Sequence, residues 1–351
     1  RNHLENLEEM VEVFEVGPCN ESYEMGFLVG KRFSGMITSR LSNDTVFQSH
    51  LLPFSSNPQS QPLIEALSQT NRTLYPNYWE ELRGTADGSG APFLHLLLLN
   101  FRKEILPLIE SPHCSDVLLV TDTLAIAAHN EDANPSIVGH TYIVRAVLPS
   151  GLSFTGYTYA GELPSCAFGF NSSGVVFTLD SVPPTRNEIV PGRVGRNFVS
   201  RDLLEAEGVD DAVRRIIGAE VSVGHSYNLM DLKKRKILNV ESASRGRVSI
   251  RDVGASPFFH GNMYLHLRVE QVYDENSAAR EARAESLPKG SKEEMLSLMG
   301  DTWHDKYPIF MAGPTLCTLC TVLVDLDEGT LTIFEGNPKY GFPSLIFALT
   351  D

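Results

Sequence analysis

Cys114 stands directly before an apolar run, Val117 to Val120. A second apolar run, Thr123 to Ala128, ends in the polar cluster His129, Asn130, Glu131, Asp132 and Asn134. Two such runs predict a β-hairpin that folds the cluster back beside the cysteine. A thiol needs a base to become a nucleophile. If the chain cut its own peptide bond between His113 and Cys114, the freed α-amino group of Cys114 would be such a base, held by an Asp on the partner strand. The plain alternative is that Cys114 is a small buried hydrophobe, the usual role of a single cysteine.

The flanking sequence must hold this hairpin in place. Residues 10–16 alternate like a short strand. Asn20 would cap a helix running through Ile37, on which Gly26 and Gly30 lie four apart, a spacing suited to close packing. Residues 42–62 are rich in Ser, Asn, Gln and Pro and read as a loop. A helix follows from Pro62 towards Leu82, then a glycine-dense turn over 84–90. A further helix, Pro92 to Ile109, is apolar on most faces but carries Asn100 and Glu104. From Cys114 onward the pattern changes to strands: 142–148, 152–159, 165–170 and 175–179. A loop (181–195) and two helices (196–207 and 209–218) interrupt them. Strands return at 226–231, 237–241 and 248–251, helices at 264–287 and 291–299, and strands at 321–325 and 331–335. Hairpins, paired helices and hairpins again point to two stacked sheets with helices outside. The expected fold is α+β, a four-layer α/β/β/α sandwich. Residues 1–113 would form a helical N-terminal segment and 114–351 the core.

The 351 residues carry a formal net charge of −15, which argues against nucleic acid or an anionic membrane as a partner. No apolar run reaches 18 residues, so no membrane span is expected. The chain begins with Arg rather than Met, as though a leading segment had been trimmed. Five sparse cysteines do not make a disulfide framework. A soluble cytoplasmic or organellar protein is therefore expected ahead of a disulfide-rich secreted one. Asn20, Asn43, Asn71 and Asn171 head N-x-Ser/Thr triplets, which matter only in a secretory compartment. Cys317 and Cys320 form a CxxC, but no second pair stands at zinc spacing, and a β-run would turn the two thiols to opposite faces. No metal and no cofactor are expected.

The order of several short motifs carries a resemblance. Glu24-Met25-Gly26 with Gly30 comes first. Glu81 to Gly88 with Asn100 and Glu104 comes second, then Cys114 with Asn130-Glu131-Asp132. Gly169-Phe170-Asn171 with Gly174 follows, then Gly224 to Asn228, His260-Gly261-Asn262, and Ser277 with Arg280. In this order they resemble the autoprocessing cysteine family of isopenicillin N acyltransferase, which also includes the insect β-alanyl-dopamine hydrolase. The resemblance covers most of the chain and implies the N-terminal-nucleophile (Ntn) hydrolase fold. It implies Cys114 as nucleophile, freed by cleavage at His113–Cys114, and Asp132 as the holder of its amine. Asn228 would donate to the oxyanion. Asn130 and Asn171 would contact substrate, and Ser277 with Arg280, one helical turn apart, would bind a substrate carboxylate or stabilise the uncut loop. Where the family often has Gly before the nucleophile, this chain has His113, which predicts slower or altered processing.

The implied activity is cleavage of the amide bond of a small N-acylated amine or amino acid through an acyl-enzyme on Cys114. The mature form would be a heterodimer of the chain's own two fragments. Two alternatives stand beside it: an acyl-CoA-dependent N-acyltransferase, which sits awkwardly with the acidic charge, and an idle relative that keeps the fold as a binding module.

Overall fold

The computed structural model describes residues 10–107 and 114–350. His113, one side of the expected scissile bond, lies outside the described residues.

Eleven α-helices and fourteen strands are found among the described residues. The chain opens with β1 (Glu12–Val16), α1 (Ser22–Arg32), α2 (Ser34–Asn43), α3 (Leu52–Ser56), α4 (Gln61–Leu74), α5 (Pro76–Ser89), α6 (Phe93–Asn100) and α7 (Arg102–Ile105). Then come β2 (Ser115–Val120), β3 (Ala125–Ala133), β4 (Thr141–Val147), β5 (Ser153–Tyr159), β6 (Phe168–Asn171) and β7 (Val175–Asp180). Helices α8 (Arg196–Leu203) and α9 (Val209–Gly218) precede β8 (His225–Asp231), β9 (Lys236–Ala243), β10 (Arg247–Asp252) and β11 (Phe258–His260). Last are α10 (Glu275–Glu285), α11 (Lys292–Met299), β12 (Cys317–Asp325), β13 (Thr330–Phe334) and β14 (Leu345–Ala348).

The strands form an eight-stranded sheet, β1-β4-β5-β6-β7-β8-β9-β10, and a six-stranded sheet, β11-β2-β3-β12-β13-β14. Residue alternation sorts their side chains into three apolar layers. Val144, Phe177 and Leu229 face the helices of the N-terminal half together with α8 and α9. Ile143, Val176 and Met230 meet Leu118, Ala127 and Val322 between the sheets. Val117, Ile126 and Leu323 pack on α10 and α11. This is an α/β/β/α sandwich. The leading segment is part of it, since β1 runs parallel to β4 at the edge of the larger sheet.

Several local expectations need correction. Residues 84–89 continue α5, because their glycines serve close packing and not a turn. A Cβ on Gly84 would lie 2.0 Å from the Tyr23 carbonyl oxygen, and one on Gly26 would lie 1.9 Å from that of Glu81. The backbones of α1 and α5 therefore touch, which only glycine permits. Residues 47–60 are largely helical, since Phe47 and Leu51 are fully buried and the Asp44 carboxylate caps the N–H groups of Val46 and Phe47. The expected helix 264–287 shrinks to α10. Its first part is irregular because the buried Glu241 carboxylate gathers the backbone N–H groups of Leu265, His266 and Leu267, and Asp274 caps the helix that follows.

Candidate active site

Cys114 leads into β2, whose register with β3 pairs Ser115 with Asn130 and Asp116 with His129. Extending that register sets Cys114 opposite Glu131. Because strand side chains alternate, Cys114 and Asp116 share the inter-sheet face with His129 and Glu131. The contacts agree. Cys114 Sγ lies 3.5 Å from Glu131 Oε2, which is 3.0 Å from His129 Nε2. His129 Nδ1 lies 2.9 Å from Asp116 Oδ2, and the Tyr159 hydroxyl donates to Glu131 Oε1. All five side chains are buried.

Burial pushes the Cys114 thiol well up, and the charges of Glu131, Asp180 and Asp132 add to this; the Asp132 backbone N–H at the sulfur pulls the other way. Burial alone would strip His129 of its proton. Asp116 and Glu131 on either side outweigh it and hold the imidazole protonated. Cys114, His129 and Glu131 bring potential ligand atoms within 4.8 Å of one another, as do Asp116, His129 and Asp180. Both trios use the same imidazole.

Asp132 projects to the other face of β3. Its Oδ1 accepts from the Thr318 hydroxyl at 2.5 Å, while its Oδ2 is buried without a hydrogen-bond partner among the described residues. Burial raises its pKa to about 8, against the opposing pull of Thr318 and Arg280. The partner strand β12 carries a bulge between Thr318 and Cys320, opposite Asp132 and Glu131, which re-aims side chains at this spot.

A cavity of about 490 Å³ opens here, lined by Cys114, Glu131, Asp132 and Tyr159 on the sheet side. Asn100 and Arg102 of the leading segment, with Arg196, Asn197 and His225, close the other side. Arg40 is paired with Glu162 at 2.5 Å and Arg102 with Asp44 at 2.5 Å.

The other residues singled out in the sequence are placed apart from this cavity. Asn130 donates to the carbonyls of Met299 and Ile309 and accepts from Thr321, tying α11 to β3. Asn171 builds its own hairpin turn and holds the carbonyls of Leu204 and Ala206. Arg280 is buried behind the nucleophile: Nη1 reaches the Cys114 carbonyl oxygen at 2.6 Å, and Nη2 reaches Asn262 Oδ1 at 2.7 Å. Ser277 Oγ donates to Asp274 and accepts from the Asn262 backbone N–H. None of these four lines the cavity.

Asn228 is also absent from the cavity wall. Its Nδ2 donates to Thr178 at 3.0 Å and its Oδ1 accepts from Asn239 at 2.7 Å. Thr178 in turn donates to Asp116. Sequence reading expected Asn228 to meet an oxyanion; in the structure both ends of its amide are engaged inside the sheet. Asn262 is likewise absent from the cavity wall. It is held by Arg280, and its Nδ2 reaches the carbonyl of the cavity residue Ser181.

Sequence reasoning assigned no role to Asp116, His129, Glu131 or Tyr159. The signal for the first three was present: positions 114 and 116 on one strand, and 129 and 131 on the next, alternate onto one face.

Comparison with known proteins matches residues 120–340 to the acyl-coenzyme A:6-aminopenicillanic acid acyl-transferase family. A Drosophila melanogaster beta-alanyl-dopamine/carcinine hydrolase is 25% identical over 355 residues, covering 90% of this chain and 91% of that protein. Among solved structures, a Caenorhabditis elegans ortholog of N-acylethanolamine-hydrolyzing acid amidase is 12% identical, with a TM-score of 0.42; the match covers 61% of this chain and 92% of that one. A penicillin V acylase from Agrobacterium tumefaciens gives 12% identity and a TM-score of 0.38, covering 64% of this chain and 83% of that one. With more than half its length matched, this chain belongs to the acyl-coenzyme A:6-aminopenicillanic acid acyl-transferase family.

Proposed function

We propose that this protein is a self-cleaving cysteine amidohydrolase that acts on the amide bond of a small N-acylated amine. The observation that carries the reading is the orphaned oxygen of Asp132. A buried carboxyl oxygen without a hydrogen-bond partner costs about 1–3 kcal/mol, and Asp132 Oδ2 is such an atom among the described residues, on the wall that also holds Cys114. Scission before Cys114 would create an α-ammonium group and supply the missing donor. With a pKa well below a lysine's, that group also exists as the neutral amine, and in that form it would take the thiol proton.

In the mature enzyme the Cys114 thiolate attacks the substrate's amide carbonyl, the amine departs, and water resolves the acyl-enzyme. Asp132 orients the α-amine. Arg280 fixes the Cys114 backbone.

The cavity volume suits a small molecule. The Drosophila relative is named for hydrolysis of β-alanyl-dopamine and carcinine, and carboxylates beside Cys114 suit an amine-bearing substrate of that kind. Cleavage would leave residues 1–113 and 114–351 as two associated chains. The test is release of free amine from carcinine and from neutral N-acyl amines. Equal release by Cys114→Ala would defeat the assignment of the nucleophile.

A further inference from the structure

The α-amine cannot serve as base for the cut that creates it. Until the bond before Cys114 breaks, that nitrogen is an amide with its lone pair delocalised. Self-cleavage needs a different proton acceptor.

The geometry points to Glu131 as the base for that step, with His129 and Asp116 positioning its carboxylate. This rests on the reading of Cys114 as a self-processing nucleophile. Glu131 is the one side chain within hydrogen-bond reach of the sulfur among the described residues. Three hydrogen-bonded groups fix its carboxylate: the Tyr159 hydroxyl on Oε1, His129 Nε2 on Oε2, and Asp116 behind His129. Thr178 and Asn228 brace Asp116 in turn. The competing carboxyl, Asp132, belongs to the opposite face of β3 and has a pKa of about 8. A carboxyl still carrying its own proton cannot accept the thiol's. The two acids thus divide the work, Glu131 before the cut and Asp132 with the α-amine after it. The other charged groups acting on the sulfur are Asp180 and Arg280, and Arg280 holds the Cys114 carbonyl.

The chemistry balances. The thiol proton passes to Glu131, and the sulfur forms a bond to the preceding carbonyl carbon. The carbon–nitrogen bond breaks, and the proton on Glu131 passes to the departing nitrogen, which becomes the free α-amine. Water then opens the thioester, restoring the thiol and leaving a carboxylate on the preceding residue. One water is consumed for one peptide bond.

The test uses the full chain. Denaturing mass spectrometry follows the cut in wild type, Glu131→Gln and Cys114→Ala, with thermal melting to establish that each is folded. The expected result is at least a roughly 100-fold slower cut in Glu131→Gln. In a parallel set, residues 108–113 are replaced by a site-specific protease sequence that releases Cys114 as a chain start. Released Glu131→Gln should then react with iodoacetamide at Cys114 at least as fast as the released wild type, since the amine now activates the thiol and the negative charge that held its proton on is gone. A wild-type cutting rate in Glu131→Gln overturns the proposal, as does a released variant that alkylates more than tenfold slower. If Glu131→Gln does not fold, Glu131→Asp and His129→Gln replace it. Both should slow the cut while sparing alkylation after release, and the His129 variant should also shift the pH profile of the cut. Wild-type cutting rates in both overturn the proposal. Cleavage of Cys114→Ala, or an uncut wild type, would instead remove the self-processing reading beneath it.

Discussion

Two buried imidazoles in this protein are each flanked by two carboxylates. His129 lies between Asp116 and Glu131, and His260 between Asp180 and Glu241. The clusters meet where Asp116 and Asp180 approach, and burial beside Asp116 keeps the proton on Asp180. Their outer ends differ. Glu241 accepts three backbone N–H groups of the 265–267 loop at 2.7, 3.0 and 2.7 Å, besides His260. Its lone pairs are filled by the fold. Glu131 faces a thiol and a cavity. The same acid–imidazole–acid unit thus braces a loop at one site and confronts a reactive atom at the other. What lies at the terminus, more than the pairing itself, decides between architecture and chemistry.

The largest break in this comparison comes from Cys114→Ala. It should reduce amine release by at least ~1,000-fold and leave the chain uncut, as read by substrate turnover and intact mass. Asp132→Asn comes next. It removes the holder of the α-amine and should lower turnover by about 100-fold while leaving KM little changed, as steady-state kinetics would show.

His129→Asn and His260→Asn sharpen the comparison directly. Each leaves buried carboxylates without their cation, so each should cost about 3–5 kcal/mol in urea unfolding. Only the His129 variant should also slow self-cleavage. A smaller effect is expected from pH. His260 is raised from its ordinary 6.5 to about 10, so the folded state binds its proton more tightly. That stabilisation is complete below about pH 6.5 and fades as pH climbs towards 10. Glu241 is lowered from 4.5 to about 2, so its contribution holds above about pH 4.5 and fades as pH falls towards 2. Melting temperature against pH should show both slopes, and His260→Asn should flatten the alkaline one.

The layered fold was legible because the strands alternate cleanly: Tyr142, Ile143 and Val144 go to helix, sheet and helix sides in turn. The nucleophile hairpin was legible for the same reason. The glycines of α5 misled because a glycine that admits a neighbouring backbone looks, in sequence, like one that bends a turn. The span 264–274 misled because a distant carboxylate, Glu241, takes its backbone hydrogen bonds, and no local pattern records that. Asn228 and Asn262 are both amides in polar company. The register of β8 between β7 and β9 gives Asn228 its partners Thr178 and Asn239, and no local pattern records that either.

The contact of α1 with α5, and the docking of β1 on β4, bear on what a nicked molecule would be. The leading piece supplies an edge strand and much of one helical layer, seated on Tyr142, Val144 and Phe177 of the larger piece. Losing one peptide linkage would remove none of that seating. The two polypeptides should travel together through gel filtration as a single particle and come apart only in denaturant, so that the severed segment persists as a wall of the reaction chamber.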